Sequence, residues 1–402
     1  MMHILLTDMK RLNRFLLLLA VAYSCSVYGQ DNEGGIRFEK SSWKEILNMA
    51  VAQNKLVFVD FYTDWCGPCL NMAENVFTRP DVGFFYNEHF VCAKINAESE
   101  EGSKLAKQYM VHLYPTYCFI DPNTQEVVHR SSSTQTPEIF IKTGKNALVP
   151  TKRSSYLIKA YAEGNRSKQL LLDYIEYQIS IHKQKLTEMA FDQLVAQGNS
   201  LRDRAVWDVF VAGIRGLSPY LQEVSDHYAE YCRLYSKAEV DAKLFAETQF
   251  GDVDKIATLC DFDGKQFNID FIRIEQAIRQ TNYKQAIGLI DKHLADTTTN
   301  KAEVMRRLKF MMNMERYNNG NATEEWKLKC LEYTRYLAYN WPERKDGTIH
   351  QLYADMLEKA IKNKSNQNAI QSLITETPKY GEKNYTMRSP KMKQKPNRAP
   401  KR

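Results

Sequence analysis

The pattern of hydrophobic positions divides the chain into a first stretch that mixes strands with helices and a longer second stretch of helices alone. Residues 56–61 are apolar on both faces of an extended chain except for Asp60, a pattern typical of a central strand in a parallel sheet. Shorter apolar runs at 90–95 and 117–120 predict further strands. Apolar residues spaced by three and four positions predict helices between them. We therefore expect an α/β domain at the start of the chain.

Capping and turn residues limit the remaining elements of this first stretch. The predicted elements are, in order, an edge strand at 35–38, a helix at 43–51, the strand at 56–61, helices at 66–77 and 82–88, the strand at 90–95, a helix at 102–109, strands at 117–120 and 126–130, and a helix at 136–148. We summarise this order as βαβαββα, with an added helix at 82–88.

The second stretch, from about residue 156 to 373, shows almost no strand pattern and contains only Pro219 and Pro342 as prolines. Several of its helices are joined by short loops, which predicts antiparallel neighbours. Residues 271–294 resemble a tetratricopeptide-type hairpin, but no fixed period recurs, so we predict an irregular all-α array. The predicted helices cover 168–181, 186–197, 204–213, 221–235, 237–250, 271–280, 283–294, 301–313, 324–340 and 349–362.

The N-terminus has the pattern of a secretory signal peptide. Three basic residues precede a short apolar core at 15–22, and Val27 and Gly29 suit cleavage before residue 30. We therefore expect a periplasmic or otherwise exported protein. An uncleaved anchor is one alternative. A lipid anchor at Cys25 is another, although the bulky Tyr23 makes a poor lipobox.

The C-terminus is basic, and it accounts for the charge of the whole chain. Residues 379–402 carry nine Lys/Arg and one Glu, whereas the net charge of all 402 residues is +7. A polar tail with three prolines is predicted to be disordered. It acts either as a solubilising end or as a contact for an anionic membrane or cell-wall surface, and nucleic acid is not an expected partner of an exported protein.

These observations predict several domains for a chain of this length. The predicted organisation is a signal peptide at 1–29, an α/β domain at 30–148, a linker at 149–165, a helical domain at 166–375 and a basic tail at 376–402.

Two of the eight cysteines stand three positions apart, directly after the central strand and at the start of a helix. Unpaired N–H groups and the helix dipole stabilise a thiolate at such a position. Cys66 is therefore the predicted exposed, attacking sulfur, and Cys69, one helical turn later, is placed to resolve a mixed disulfide with it.

Four features in the expected order resemble thioredoxin. They are the sequence Trp-Cys-Gly-Pro-Cys at 65–69, the acid Asp60 in the central strand, Lys94 in the next strand, and Tyr-Pro-Thr at 114–116, which matches a cis-proline loop. The resemblance covers residues 36–148, about a quarter of the chain. The added helix is similar to one in the thioredoxin-like domain of the membrane-bound disulfide reductases of the bacterial periplasm.

This resemblance implies a thioredoxin-like fold and a role for each matching residue. Cys66 and Cys69 form the redox disulfide, and Asp60 accepts the proton of Cys69 while Lys94 modulates its charge. The alternative for Asp60 is a carboxylate satisfied by local hydrogen bonds. The bulk of Tyr114 narrows the set of accepted partners. The residues expected to bind substrate are Trp65, Gly67, Pro68, Tyr114 and Pro115.

The other candidate residues indicate structure rather than chemistry. Cys92 and Cys118 lie on strands that flank the central strand, so we predict buried, unbridged thiols. His89, His112 and His129 show no nucleophile–base pattern and are predicted at the surface or in loops. No second Cys/His pair has the spacing of a zinc site, so we expect no metal and no cofactor. A purely structural disulfide remains an alternative.

Two hypotheses follow for the whole protein. The first is an exported thiol–disulfide oxidoreductase that reduces or isomerises protein disulfides. Its partners are protein thiols and disulfides and a membrane or soluble electron donor, and the residues do not specify the direction of electron flow. The alternative is a partner-binding helical protein in which the thioredoxin-like domain is an accessory docking module.

Overall fold

A computed structural model describes residues 34–318, 321–342, 347–362, 367, 368, 370 and 371. The predicted signal peptide, Cys25 and the basic tail lie outside these residues. The chain divides into two compact units between Ile214 and Arg215. The predicted domain limits stay predictions.

The first unit contains a five-stranded mixed sheet with the strand order β1-β3-β2-β4-β5. Strands β1 and β2 run parallel to β3, whereas β4 is antiparallel to both β2 and β5. The strands are β1 Phe38–Glu39, β2 Leu56–Tyr62, β3 Phe90–Asn96, β4 Thr116–Ile120 and β5 Val127–Ser132. The apolar run at 56–61 therefore forms the central strand, as predicted.

Five helices surround this sheet, and local capping explains where they begin. Ser42 and Glu45 form a capping box at the first helix, and Thr136 caps the fifth. The helices are α1 Trp43–Gln53, α2 Gly67–Asn75, α3 Pro80–His89, α4 Glu100–Gln108 and α5 Pro137–Leu148. Sheet and helices together confirm the predicted thioredoxin-like α/β fold.

The alternation of β2 side chains creates a hydrophobic core on each face of the sheet. Val57, Val59 and Phe61 belong to the core beside α1 and α4. Phe58 belongs to the opposite core, where Met72 of α2 is buried. Asp60 lies two positions after Phe58, so it points to the face of the sheet that α2 covers.

The stretch predicted as a linker, 149–165, is structured. A 3₁₀ turn covers Pro150–Lys152, and helix α6 covers Ser154–Ala162. The Ser154 N–H donates to His129 Nδ1 at 3.0 Å, and the Ser154 hydroxyl accepts from the Arg130 N–H at 2.9 Å. These bonds join the start of α6 to β5.

The predicted surface position of His129 is therefore wrong. Its side chain is buried between Phe119 and Tyr177, and burial, with a contribution from Arg153, lowers its pKa to about 3. The helix at the predicted linker brings its own residues over β5, which removes His129 from solvent. Three further helices belong to the described part of the first unit: α7 Lys168–Ser180, α8 Gln184–Ala196 and α9 Arg204–Gly213.

The second unit is helical throughout its described residues, with a core built around Phe271, Leu308 and Trp326. The helix predicted at 221–235 is two helices, because the backbone leaves helical geometry at His227. None of the described helices is long and apolar enough to cross a bilayer. The helices are α10 Pro219–Asp226, α11 Tyr228–Tyr235, α12 Lys237–Glu247, α13 Val253–Thr258, α14 Lys265–Arg279, α15 Tyr283–Ala295, α16 Lys301–Asn318, α17 Glu324–Asn340 and α18 Gly347–Lys362.

Candidate active site around Cys66 and Cys69

Cys66 and Cys69 form a disulfide at the N-terminus of α2, with their Cα atoms 5.2 Å apart. Cys66 is the N-cap residue, and its Sγ accepts a hydrogen bond from the Cys69 N–H at 3.2 Å. The first N–H groups of a helix have no intrahelical acceptor and stabilise negative charge. The same groups would stabilise a thiolate on Cys66 once the disulfide is reduced.

The two residues between the cysteines differ in their constraints. Pro68 lies in the first turn of α2, where its missing N–H breaks no helical bond. A Cβ atom on Gly67 would have no other atom within 4 Å, so this position faces open space. Cys66 itself is buried, with 4% of its surface exposed, so the predicted exposure of its sulfur is wrong for the disulfide form. The open space at Gly67 leaves this side of the disulfide free of a side chain.

Trp65 forms an exposed wall next to the disulfide, with 70% of its surface accessible. Its Nε1 donates to Glu98 Oε1 at 2.8 Å, and its ring packs edge-on against Tyr114 with centroids 6.4 Å apart. Asn96 Nδ2 donates to Asp64 Oδ2 at 2.9 Å. The loops that follow β2 and β3 thus hold the Trp65 ring in place.

The Tyr114–Pro115 peptide bond is cis, as the resemblance implies. The Pro115 carbonyl accepts from the Ser133 N–H at 3.0 Å, which ties this loop to the end of β5. Within the part of the chain that the structure describes, no hydrogen bond engages the Tyr114 backbone. Unpaired backbone groups beside Trp65 can pair with an extended substrate segment.

Asp60 is buried beneath the helix that carries the cysteines, with 1% of its surface exposed. It pairs in register with Lys94 on β3 and with Tyr117 on β4. Its Oδ1 atom has no hydrogen-bond partner among the described residues. Burial raises the pKa of Asp60 to about 7, although the positive charge of Lys94 opposes the rise. The Asp60 carboxyl can therefore exchange a proton near neutral pH.

The positive charge of Lys94 lowers the pKa of Asp60 although no ion pair joins the two side chains among the described residues. The Lys94 Nζ lies over the ring of Tyr62, 4.5 Å from its centroid. This cation–π contact holds the ammonium group beside the Asp60 strand position. The structure therefore brings together all the residues predicted for the site, whose roles remain predictions.

Cys92 and Cys118 are buried free thiols on β3 and β4, with β2 between them, as predicted. Burial raises the pKa of Cys118 to about 11 and that of Cys92 even further. Neither forms a thiolate at neutral pH, so neither competes with Cys66 as a nucleophile.

Sequence reasoning missed Glu98 and Asn96, which position Trp65 and Asp64. Asn96 ends β3, and Glu98 follows it by two residues. The carboxyl ends of parallel strands meet at one edge of a sheet. This rule could have placed the loop after β3 beside the loop that carries Trp65.

Comparisons with known proteins agree with this fold. Residues 39–122 match a family model described as thioredoxin-like. Thioredoxin-T of Drosophila melanogaster is 35% identical over 72 residues, which cover 18% of this chain and 43% of that protein. The thiol:disulfide interchange protein DsbD of Tatumella citrea is 32% identical over 80 residues, 20% of this chain and 14% of that protein. The chain thus spans less than half of these two curated relatives.

Among solved structures, a protein from Bacteroides thetaiotaomicron, provisionally named a disulphide-isomerase, is 38% identical; the match covers 29% of this chain and 97% of that one, with a TM-score of 0.27. The N-terminal region of the present chain is a thioredoxin-like domain, and a large helical region follows it. Within this domain, the close Cys66–Cys69 pair is consistent with thiol–disulfide exchange.

Proposed function

We propose that the protein is an exported thiol–disulfide oxidoreductase that reduces or isomerises disulfides in other proteins. The observation that carries this proposal is the Cys66–Cys69 disulfide at the N-terminus of α2, next to an exposed Trp65. Export and a periplasmic location rest on the signal-peptide pattern at 1–29, and a lipid anchor at Cys25 is the alternative. The electron donor is a membrane or soluble protein.

The first step begins after the donor has reduced the disulfide with two electrons. The Cys66 thiolate attacks one sulfur of a substrate disulfide, and a mixed disulfide forms while the other substrate sulfur leaves as a thiolate. Trp65 and the unpaired backbone of Tyr114 dock the substrate chain beside Cys66. The substrate therefore pairs with the protein as an added extended segment.

The second step releases the substrate. Asp60 accepts the proton of the Cys69 thiol, and the Cys69 thiolate attacks Cys66 Sγ. The bond between Cys66 and the substrate breaks, the substrate sulfur leaves and takes up a proton, and the Cys66–Cys69 disulfide is restored. A pKa of about 7 suits Asp60 to this exchange at neutral pH. In isomerisation, a second substrate thiol attacks the mixed disulfide in place of Cys69.

The activity can be tested with the full chain, dithiothreitol and a disulfide-bonded protein such as insulin. We expect the protein to accelerate reduction, Cys66→Ala to abolish the acceleration, and Cys92→Ala, which removes a buried thiol of the same domain, to keep it. Acceleration that survives in Cys66→Ala would contradict the proposal.

A trapping experiment separates this function from the partner-binding alternative. Cys69→Ala retains the attacking sulfur and lacks the resolving one, so it should accumulate mixed disulfides with substrates in cells. If it traps no protein, and partners bind equally well to a variant without either cysteine, the helical region is the main actor and the oxidoreductase proposal fails.

A further inference from the structure

The second unit contains a cavity of about 840 Å³ between α12, α14, α15 and the loop that leads to α16. Its volume lies within the range of small-molecule sites, about 300–1,000 Å³. It lies wholly within the helical region, so it is independent of the thiol chemistry proposed above.

Aromatic rings form one wall of this cavity. Phe245 of α12 and Phe267 of α14 both line it, and their ring centroids are 6.1 Å apart. Gly264 also lines the cavity, at a backbone φ of 90°, and a Cβ atom there would lie 2.6 Å from the Phe245 ring. Glycine thus leaves the space in which Phe245 faces the cavity.

A buried pair, Asp270 and His293, forms the floor. His293 Nε2 lies 3.0 Å from Asp270 Oδ2, and Asp270 also accepts from Lys292 Nζ at 2.9 Å and from Gln266 Nε2 at 2.8 Å. Because an ionised carboxylate only accepts hydrogen bonds, His293 donates to Asp270 from Nε2. In the neutral ring, Nδ1 is then the acceptor.

His293 Nδ1 has no hydrogen-bond partner among the described residues, although only 5% of the His293 surface is exposed. The ring lines the cavity. A buried acceptor without a partner is costly, and a donor group of a bound molecule would satisfy it. This orphaned atom points to a ligand that carries an N–H group.

The charges around the cavity favour a positive ligand. Four aspartates line it, and they share two lysines: Lys237 pairs with Asp241 and Asp263, Lys292 pairs with Asp270, and Asp296 is the fourth. Glu303, which also lines it, is already paired with the two arginines that follow it on α16. The carboxylates therefore exceed the ammonium groups, and the aromatic wall adds rings that attract cations.

We propose that this cavity binds an organic cation that carries N–H donors, an alkylguanidinium or alkylammonium group. Its alkyl part lies against Phe245 and Phe267, an N–H donates to His293 Nδ1, and its charge faces the carboxylates. The cation is either a free small molecule or the side chain of a basic peptide, and both present the same chemistry.

Calorimetric titration of the full chain with n-butylguanidinium and with n-butylurea tests whether the ligand must carry a positive charge. The two probes have the same shape, and only the first is positive. We expect n-butylguanidinium to bind at least tenfold more tightly. Equal binding of the two probes, or no binding of either, would overturn the proposal.

Variants with opposite expected effects exclude a general loss of structure. Asp263→Asn changes an exposed wall residue and should weaken n-butylguanidinium binding by about two- to fivefold, whereas Lys292→Gln should strengthen it by a similar factor. Glu358→Gln makes the same change of charge on α18, away from the cavity, and should leave binding unchanged. The proposal would be contradicted if Asp263→Asn and Lys292→Gln changed the affinity for n-butylguanidinium in the same direction. It would also be contradicted if Glu358→Gln changed this affinity as much as Asp263→Asn.

His293→Gln tests the acceptor, because the Gln amide nitrogen can replace Nε2 as the donor to Asp270 but provides nothing at Nδ1. We expect about tenfold weaker binding with unchanged unfolding. Unchanged binding in this variant would remove His293 from the site.

The peptide acetyl-Gly-Arg-Gly-amide distinguishes the two sources of the cation. Tighter binding of this peptide than of n-butylguanidinium supports a peptide side chain, and weaker binding supports a free small molecule. Binding of neither overturns the site.

Discussion

Asp60 and Asp270 lie in two different regions of the chain, and each has almost no exposed surface, 1% and 2%, but Asp270 lines a cavity and is less deeply buried. Burial raises the pKa of Asp60 to about 7, and the positive charge of Lys94 opposes this rise. Burial also acts to raise the pKa of Asp270, but hydrogen bonds from His293, Lys292 and Gln266 outweigh it and hold that pKa well below its usual range. At Asp270 the hydrogen-bond donors outweigh a shallower burial and keep the carboxylate charged, whereas at Asp60 deep burial dominates.

This difference gives the two residues opposite effects on stability. Because its pKa is raised, the buried Asp60 carboxyl contributes its full share to the free energy of unfolding below about pH 4. This contribution is lost as the pH rises through 7, where the folded protein must ionise the group. A lowered pKa means that the stabilisation from Asp270 is present above about pH 4 and is lost as the pH falls. Asp60 can therefore gain or lose a proton near neutral pH, whereas Asp270 stays ionised there.

The largest expected effect comes from removing the charge of Asp270. Asp270→Ala leaves three donors without their acceptor, and breaking a buried charged network costs about 3–5 kcal/mol in the free energy of unfolding. Urea unfolding at pH 7 measures this. Asp261→Ala removes an exposed carboxylate nearby in the sequence and should change stability by less than about 0.5 kcal/mol. Equal effects in the two variants would mean that the Asp270 network does not stabilise the fold.

The corresponding change at Asp60 should have the opposite sign. Asp60→Asn remains neutral, so at pH 8 it avoids a buried charge and should stabilise the oxidised protein by about 3–4 kcal/mol. At pH 4 the wild-type carboxyl is already protonated, and the difference should vanish. Urea unfolding at both pH values provides the measurement, and a difference that does not depend on pH would show that Asp60 is not a perturbed acid.

Among the described residues, Lys94 is the charge that opposes the raised pKa of Asp60, and its removal tests this effect. Lys94→Gln removes this charge and should raise the pKa of Asp60 further, by about 0.5–1 unit, or about 1 kcal/mol. The pH at which stability declines should move upward by the same interval. Lys104→Gln, an exposed lysine of α4 in the same domain, is the matched control and should leave the profile in place.

Glu98 is an exposed carboxylate that accepts a hydrogen bond from Trp65, and its removal should have the smallest effect. Glu98→Ala removes the acceptor that holds Trp65 and should raise KM for a protein disulfide about two- to fivefold with little change in kcat. Glu98→Gln retains an acceptor oxygen and should behave like the wild type. If both variants behaved alike, the hydrogen bond to Trp65 would have no part in docking.

The sequence predicted the thioredoxin-like domain well, because strong local signals agree there. The apolar run at 56–61 became β2 with limits within one residue, and Cys66 caps α2 as its position after the strand indicated. Asp60 could be singled out from the sequence because a carboxylate inside an apolar strand is costly to bury and therefore indicates a function.

Features made by distant residues escaped prediction. The polar and basic residues at 151–155 indicated a linker, so helix α6 was not predicted, although its Leu157 and Ala160 are buried. The cavity floor joins Asp270 and His293, which lie on separate helices and share no sequence pattern. Tertiary packing alone brings them together, so periodicity could not indicate the pair.

The mechanism proposed above requires Asp60 to accept the Cys69 proton in the step that releases the substrate. The most direct measurement is the single-turnover rate of release from a preformed mixed disulfide at Cys66, followed from pH 5 to 9 in the wild type and in Asp60→Asn. We expect the wild-type rate to rise with a midpoint near pH 7. We expect Asp60→Asn to lack this midpoint and to be about 100-fold slower at pH 7.5. Identical rates and profiles in the two proteins would show that Asp60 does not accept this proton.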